Sequence, residues 1–248
     1  MALIPCYECE KEISDKALAC PHCGAPRDET IEAYWDNGQL KEKGTYRHGV
    51  KDGLWEEYHS NGQLKEKGTY RHGVEDGLWE KYDKHGVLRS KGTYKYSDGD
   101  DDECREGLWK KYDKNGTLRA EVTYKHDKLD GRVESYDEDG ALQSKGTYKG
   151  GKEDGLWEWY RPDGQVVEQK TYEDGVWHGP SGEYKEDGWL ETRNYWHGII
   201  HGPAETYDED GQLKEKGSLN MGEKCGEWIE DGETVIYDPC PSFVEDGN

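Results

Sequence analysis

The sequence predicts an all-β chain: an elongated, single-layer antiparallel β-meander of about eight hairpin repeats of 24 residues, preceded by a small cysteine module. A phrase of the form Asp52-Gly53-Leu54-Trp55 recurs. Gly53, Gly77, Gly107, Gly131, Gly155, Gly179, Gly202 and Gly226 open successive units at intervals of 24, 30, 24, 24, 24, 23 and 24 residues. Self-similarity at such a period marks a stacked repeat in which each unit touches only its neighbours. The apolar supply is aromatic, with 10 Trp and 18 Tyr against a single Phe, in a chain only 31% hydrophobic and 35% charged. Each such ring covers roughly 150–250 Å² and keeps a polar tip. A thin sheet with both faces near solvent can be built from such rings despite a disorder-like hydropathy.

At the amino terminus, Cys6-x-x-Cys9 and Cys20-Pro21-His22-Cys23-Gly24 form two knuckles on a short charged linker. Four thiolates on two such turns close a tetrahedral shell around Zn²⁺. His22, between Cys20 and Cys23, would have to displace a thiolate to act as a ligand. A closed shell leaves no position for water or substrate, so the expected cofactor is a structural Zn²⁺ on Cys6, Cys9, Cys20 and Cys23. The stretch from 4 to 26 resembles the short bacterial zinc-ribbon domain, with Tyr7 where that domain commonly has proline. The expected domains are therefore a zinc ribbon at 1–28, the repeat array at 29–238 and a tail at 239–248. Cys104, Cys225 and Cys240 remain as an odd set that does not read as a disulfide framework.

In the unit from Gly53 to Gly77, Leu54–Tyr58 reads as a strand, Ser60-Asn61-Gly62 as a tight turn and Gln63–Tyr70 as a second strand. Asn-Gly and Asp-Gly favour two-residue hairpin turns because both central residues take positive φ. They recur at 37–38, 61–62, 115–116, 139–140, 163–164, 187–188 and 210–211, with His85-Gly86 as a variant. A glycine-bearing link such as Arg71–Gly77 is too short for a crossover helix, so some sixteen to eighteen strands follow one another in a meander. Leu64, Gly68 and Tyr70 share one face and Lys65, Lys67 and Thr69 the other; Leu54 and Tyr58 share a face opposite Trp55. The side on which the tryptophans pack stays open from sequence. Trp159, Trp177, Trp189 and Trp196 crowd the last third and are the candidate partner-binding residues.

The unit Gly-Leu-Trp-x-x-Tyr … Asn-Gly-x-Leu-Lys-x-x-Gly-x-Tyr resembles the bacterial variant of the MORN repeat found in the YwqK-type antitoxin family, from about Ala33 to Trp228. The resemblance implies a toxin-neutralising, non-catalytic binding protein. Departures at Glu121-Val122, Trp177–Pro180 and His201–Pro203 single out residues 176–203 as the region fitted to a partner.

Other features exclude function classes. A formal charge of −22, from 33 Lys plus Arg against 55 Asp plus Glu, opposes nucleic acid and anionic lipid and attracts a basic protein. The same acidity also keeps a repetitive β-protein soluble. The acids of Asp98–Glu103 lack the ligand alternation of a calcium loop. His48, His72, His126, His178, His197 and His201 recur in loops without metal or triad spacing. No nucleophile elbow or phosphate loop occurs, so no enzyme is expected. With no apolar run of about 18–20 residues and no export leader, a cytoplasmic location is expected. The alternative function is a structural scaffold that self-associates without a toxin partner; the oligomeric state is left open.

Overall fold

The computed structural model describes residues 3–6, 8–26, 28–97, 102–185 and 190–241. The expected turn at Asp187-Gly188 and the acids Asp98–Asp101 lie outside them. Every regular element among the described residues is a strand. By internal contacts the chain forms two compact units, Met1–Arg119 with Thr123–Lys128, and Ala120–Val122 with Leu129–Asn248.

The first unit begins with a two-stranded sheet, Leu3–Pro5 against Glu12–Ser14. From Glu29–Tyr34 to Asp102–Tyr112 its strands then pair antiparallel with their neighbours in the chain. The second unit repeats that plan from Lys128–Tyr136 to Glu233–Ile236. Val50–Lys51, Lys152–Glu153 and Ile199–Ile200 are short forerunners of the strands that begin at Gly53, Gly155 and Gly202. Counting each with the strand it precedes, the 21 repeat strands reduce to 18.

A phrase glycine such as Gly77 sits at a bulge. Lys67 faces Glu80 and Thr69 faces Asp76, so Gly77, Leu78 and Trp79 stand against Gly68 alone. Gly77 takes φ 78°, a region open to glycine at little cost. The bulge swings Trp79 onto Gly68, where a Cβ would lie deep inside the indole. Gly44 and Trp55, Gly92 and Trp109, Gly146 and Trp157, and Gly217 and Trp228 repeat the contact. The tryptophans thus share a face with the second-strand tyrosines. In the first unit Tyr46, Trp55, Tyr70, Trp79, Tyr94, Trp109 and Tyr124 meet edge to face at 4.9–6.4 Å, each pair adding about 0.5–1.5 kcal/mol beyond burial. Trp55 and Trp79 are fully buried.

The hairpin turns correct the expectation for Asn-Gly. Gly62 has φ 84° but Asn61 does not enter the left-handed region. The His59 amide bonds to Gln63 O and the Gly62 amide to His59 O, which makes a three-residue loop with a glycine bulge. Asn61 earns its place differently: its Nδ2 donates to Lys84 O in the next hairpin at 2.6 Å, as Asn37 does to Ser60 O at 2.7 Å. Among the described residues, the two-residue turns with both φ positive are His48-Gly49, His72-Gly73, His126-Asp127, Gly150-Gly151, Asp174-Gly175, His197-Gly198, Met221-Gly222 and Asp231-Gly232. This explains the loop histidines His48, His72, His126 and His197, whereas His178 lies inside the strand Val176–Tyr184 and His201 sits between Ile199–Ile200 and Gly202–Tyr207.

A second correction concerns cysteine. Cys225 and Cys240 form a disulfide, which ties the segment after Ile236 back onto the last full repeat, where Gly226 and Asp238 also bond through their backbones.

Replacing Gly68 by valine should destabilise the protein by about 1–3 kcal/mol through overpacking against Trp79. Trp79→Val in the same chain should recover part of that loss, because Val122 and Val133 already occupy the corresponding positions of another repeat. Denaturant titration of both single variants and the double variant measures the coupling; strictly additive losses would refute a direct packing pair.

Candidate functional site

Three surfaces carry chemistry. In the amino-terminal module, the backbone folds each knuckle around its own sulfurs. Glu10 N donates to Cys6 O and Gly24 N to Cys20 O, while Cys6 N and Cys20 N bond to Lys11 O and Ala25 O. The Sγ atoms of Cys6, Cys9, Cys20 and Cys23 all lie within 4.8 Å of one another. Cys6 to Cys23 and Cys9 to Cys20 are both 3.6 Å, close to the ~3.8 Å edge of a tetrahedron of sulfurs at ~2.3 Å from a metal. Cys6 and Cys20 are buried with Ile13 beneath the cluster, and His22 is exposed. The set fits a metal of tetrahedral preference, and four sulfurs complete its shell.

The protons on this cluster are unevenly held. Burial works to raise Cys20, but amides of His22 and Cys23 donate to its sulfur and bring it down to about 6. The Ala25 amide works to lower Cys23, yet burial and the neighbouring sulfurs push it up to about 12. Loading with metal at neutral pH therefore releases protons, so affinity rises with pH.

The second surface is the aromatic face of the second unit. There the Gly–Trp pairing lapses twice in succession. Lys170 faces Ser181, and Arg193 with Ala204 takes the next pair, beside Thr192 facing Glu205. Lys170 Nζ lies 4.3 Å from the Trp177 ring and 5.7 Å from that of Trp159. Trp159 stacks on Trp157 at 6.0 Å, and Trp177 meets Tyr195 at 5.0 Å. A groove of about 230 Å³ opens beside them, lined by Glu168, Glu183, Glu191 and Arg193 among others. The structure thus gathers Trp159 and Trp177 about one lysine. Trp196 belongs to a separate cluster with His178 and His197, at 4.6 and 4.8 Å, and Trp189 lies outside the described residues. The sequence reading missed Lys170 and Arg193; their signal was a charge at the position of a repeat glycine.

The third surface is the opposite face, where glutamate follows tryptophan in the unit. Lys67 and Lys91 both reach Glu80 at 2.9 Å. Lys43 pairs with Glu56, Lys145 with Glu158 and Lys216 with Glu205, at 2.6–2.9 Å. The tyrosine two residues on donates to the same carboxylate, as from Tyr82 to Glu80 and Tyr160 to Glu158. Lys67, then burial in opposition, then Lys91 and Tyr82 hold Glu80 down to about 2.

The MORN repeat variant pattern matches residues 30–48, 51–72, 75–96, 105–126, 129–149, 153–174 and 200–220. The chain belongs to the MORN repeat variant family. Repeats of this family generally act as binding modules, and the stretch between 174 and 200 in this MORN protein falls between two matches. No curated protein matches it. Two solved structures match over most of its length: TcdB2–TccC3–Cdc42, at 11% identity, TM-score 0.21 and 83% of this chain, and TcdB2–TccC3–TEV, at 12%, 0.20 and 85%. The MORN chain spans 16% and 13% of those chains, and the scores are too low to carry an argument.

The ladder sets a pH dependence. Glu80 has a lowered pKa in the folded protein, so its contribution is complete above the unfolded value near 4.5 and lost as pH falls toward about 2. Thermal melts from pH 5 to pH 2 should show Glu80→Gln losing less stability across that window than the parent. Equal slopes would contradict the assigned ion pair.

Proposed function

We propose that this MORN repeat protein is an antitoxin- or immunity-type binder that neutralises a basic protein toxin through its acidic repeat sheet, with Zn²⁺ on Cys6, Cys9, Cys20 and Cys23 holding an amino-terminal zinc ribbon. The observation that carries the reading is the pairing of a binding-repeat fold with a formal charge of −22. An acidic sheet draws a cationic partner from a Debye length of about 8–10 Å and repels nucleic acid and anionic membranes. Trp159, Trp177 and Trp196 supply large aromatic contacts on the second unit, of the type enriched at binding hot spots. The zinc reading is supported by the four-sulfur geometry; such a site stabilises a module too small for a core of its own. The proposed location is the cytoplasm.

Co-purification from the native organism should recover a basic protein whose association rate falls steeply with salt. A salt-insensitive partner, or homo-oligomers alone, would favour the scaffold reading instead.

The cysteine assignments are tested by mass spectrometry after alkylation. The native protein should carry one zinc per chain and keep the four module thiols unlabelled. Chelator and denaturant together should expose five thiols while Cys225 and Cys240 stay linked. Zinc-free protein, or seven labelled thiols in an unreduced sample, would sink the respective assignment.

A further inference from the structure

The strand Val176–Tyr184 departs from the repeat on its outer face as well as its aromatic one. Where five of the other repeats place Glu56, Glu80, Glu134, Glu158 or Glu205 and the remaining two Lys110 or Ile229, this strand has Gly182 and no side chain at all. Gln169 and Thr192 flank it in register, in the places held elsewhere by Lys67 and Lys91 beside Glu80. The charged rung has become neutral and lost its central side chain. In its place is a recess of about 380 Å³, walled by Leu156, Pro180, Tyr184, Leu190 and Pro203. Leu156 is 49% and Tyr184 40% exposed; Tyr184 has no glutamate two residues before it to accept its hydroxyl.

Neither backbone nor packing demands this glycine. Gly182 lies outside the left-handed region, and a Cβ there would meet nothing closer than Leu190 Cδ1 at 3.9 Å. The contrast with Gly68, which Trp79 requires, is complete. The surroundings remain acidic: Gln169 donates to Glu158 at 2.8 Å, and Glu205 lines the far side.

We propose that the recess at Gly182 receives an apolar side chain, aromatic or large aliphatic, that a partner protein presents between basic residues. Apolar walls bury the side chain, the Tyr184 hydroxyl is available to the incoming backbone, and the formal charge of −22 attracts the flanking cations. This deepens the protein-binding reading above and rests on it.

The probe is the peptide acetyl-Lys-Lys-Phe-Lys-Lys-amide, titrated at physiological salt into the full-length, zinc-loaded, ¹⁵N-labelled protein. Amide shifts are expected at Gly182, Leu190 and Thr192. Exchanging the peptide's Phe for Ala, or its lysines for glutamates, should weaken binding at least tenfold. Gly182→Gln keeps the charge and fills the recess; it should weaken binding at least tenfold with circular dichroism and melting temperature unchanged. Absent binding, shifts scattered over the acidic surface, indifference to the Phe, or full affinity in Gly182→Gln would each overturn the recess. If Gly182→Gln still captures the basic partner from the native organism, the antitoxin reading survives and the recess alone falls.

Discussion

The interlock of a glycine on one strand with a tryptophan on the next governs this structure. Trp79 can lie flat on its neighbour only because Gly68 has no side chain, and it reaches that place only because the bulge at Gly77 turns it there. Three separated positions of the sequence are thereby bound into one requirement. The rest of the repeat follows. An indole lying on bare backbone is buried to 0% exposure at Trp55 and 1% at Trp79, so a chain with little aliphatic material still gains a core. The ring N–H finds a strand carbonyl at Trp79, Trp109, Trp157 and Trp228, as from Trp79 to Thr69 O and Trp157 to Thr147 O, whereas that of Trp55 is buried without one. The exceptions obey the same volume rule: Val122 is followed by Val133, Lys170 by Ser181 and Arg193 by Ala204. Wherever the glycine grows, the tryptophan shrinks.

That rule separates the two faces in their freedom to change. Side chains on the aromatic face are coupled through contact, so one substitution there demands another. On the opposite face, pairs such as Lys67–Glu80 are partly solvated and contribute about 0.2–1 kcal/mol each. A repeat can give up one such rung and still fold. Recognition features cost least on that face, and Gly182 with its neutral neighbours is an alteration of this kind. The paired loss of tryptophan at Ser181 and Ala204 is costlier in packing, and Lys170 partly offsets it by lying against Trp177 and Trp159.

The period, the all-strand content and the four-cysteine cluster were all legible in the sequence, because each depends on local spacing. Turn type was not. Asn61-Gly62 carries the signature of a two-residue turn, but its asparagine serves a neighbouring hairpin through Lys84 O, a contact that no single repeat displays. The Cys225–Cys240 disulfide was hidden for the opposite reason: with Cys104 they form an odd set, and only the return of the chain beside Gly226 shows which two meet. Trp159 and Trp177 stood out by their number, yet the informative residues beside them were Lys170 and Ser181, whose meaning lies in what the repeat normally puts there. Gly182 escaped notice as one glycine among 33.

Charge and shape then divide the work of recognition. A surplus of carboxylates spread along a repeat attracts any cationic protein, and attraction that is uniform along the array selects no position on it. The Lys–Glu rungs sharpen this limit, since a carboxylate already shared by two lysines and a tyrosine, as Glu80 is, has little capacity left for a newcomer. Selection must come from places where the repeat is broken. Such a break has to be neutral enough to bury an apolar group and open enough to admit one, while its neighbours keep the field that brings the partner in. The rung Gln169–Gly182–Thr192 meets these conditions together, and its Gly182 and Thr192 lie between two family matches, one ending at 174 and the next beginning at 200. In a chain of near-identical modules, specificity resides in the module that departs from the rest.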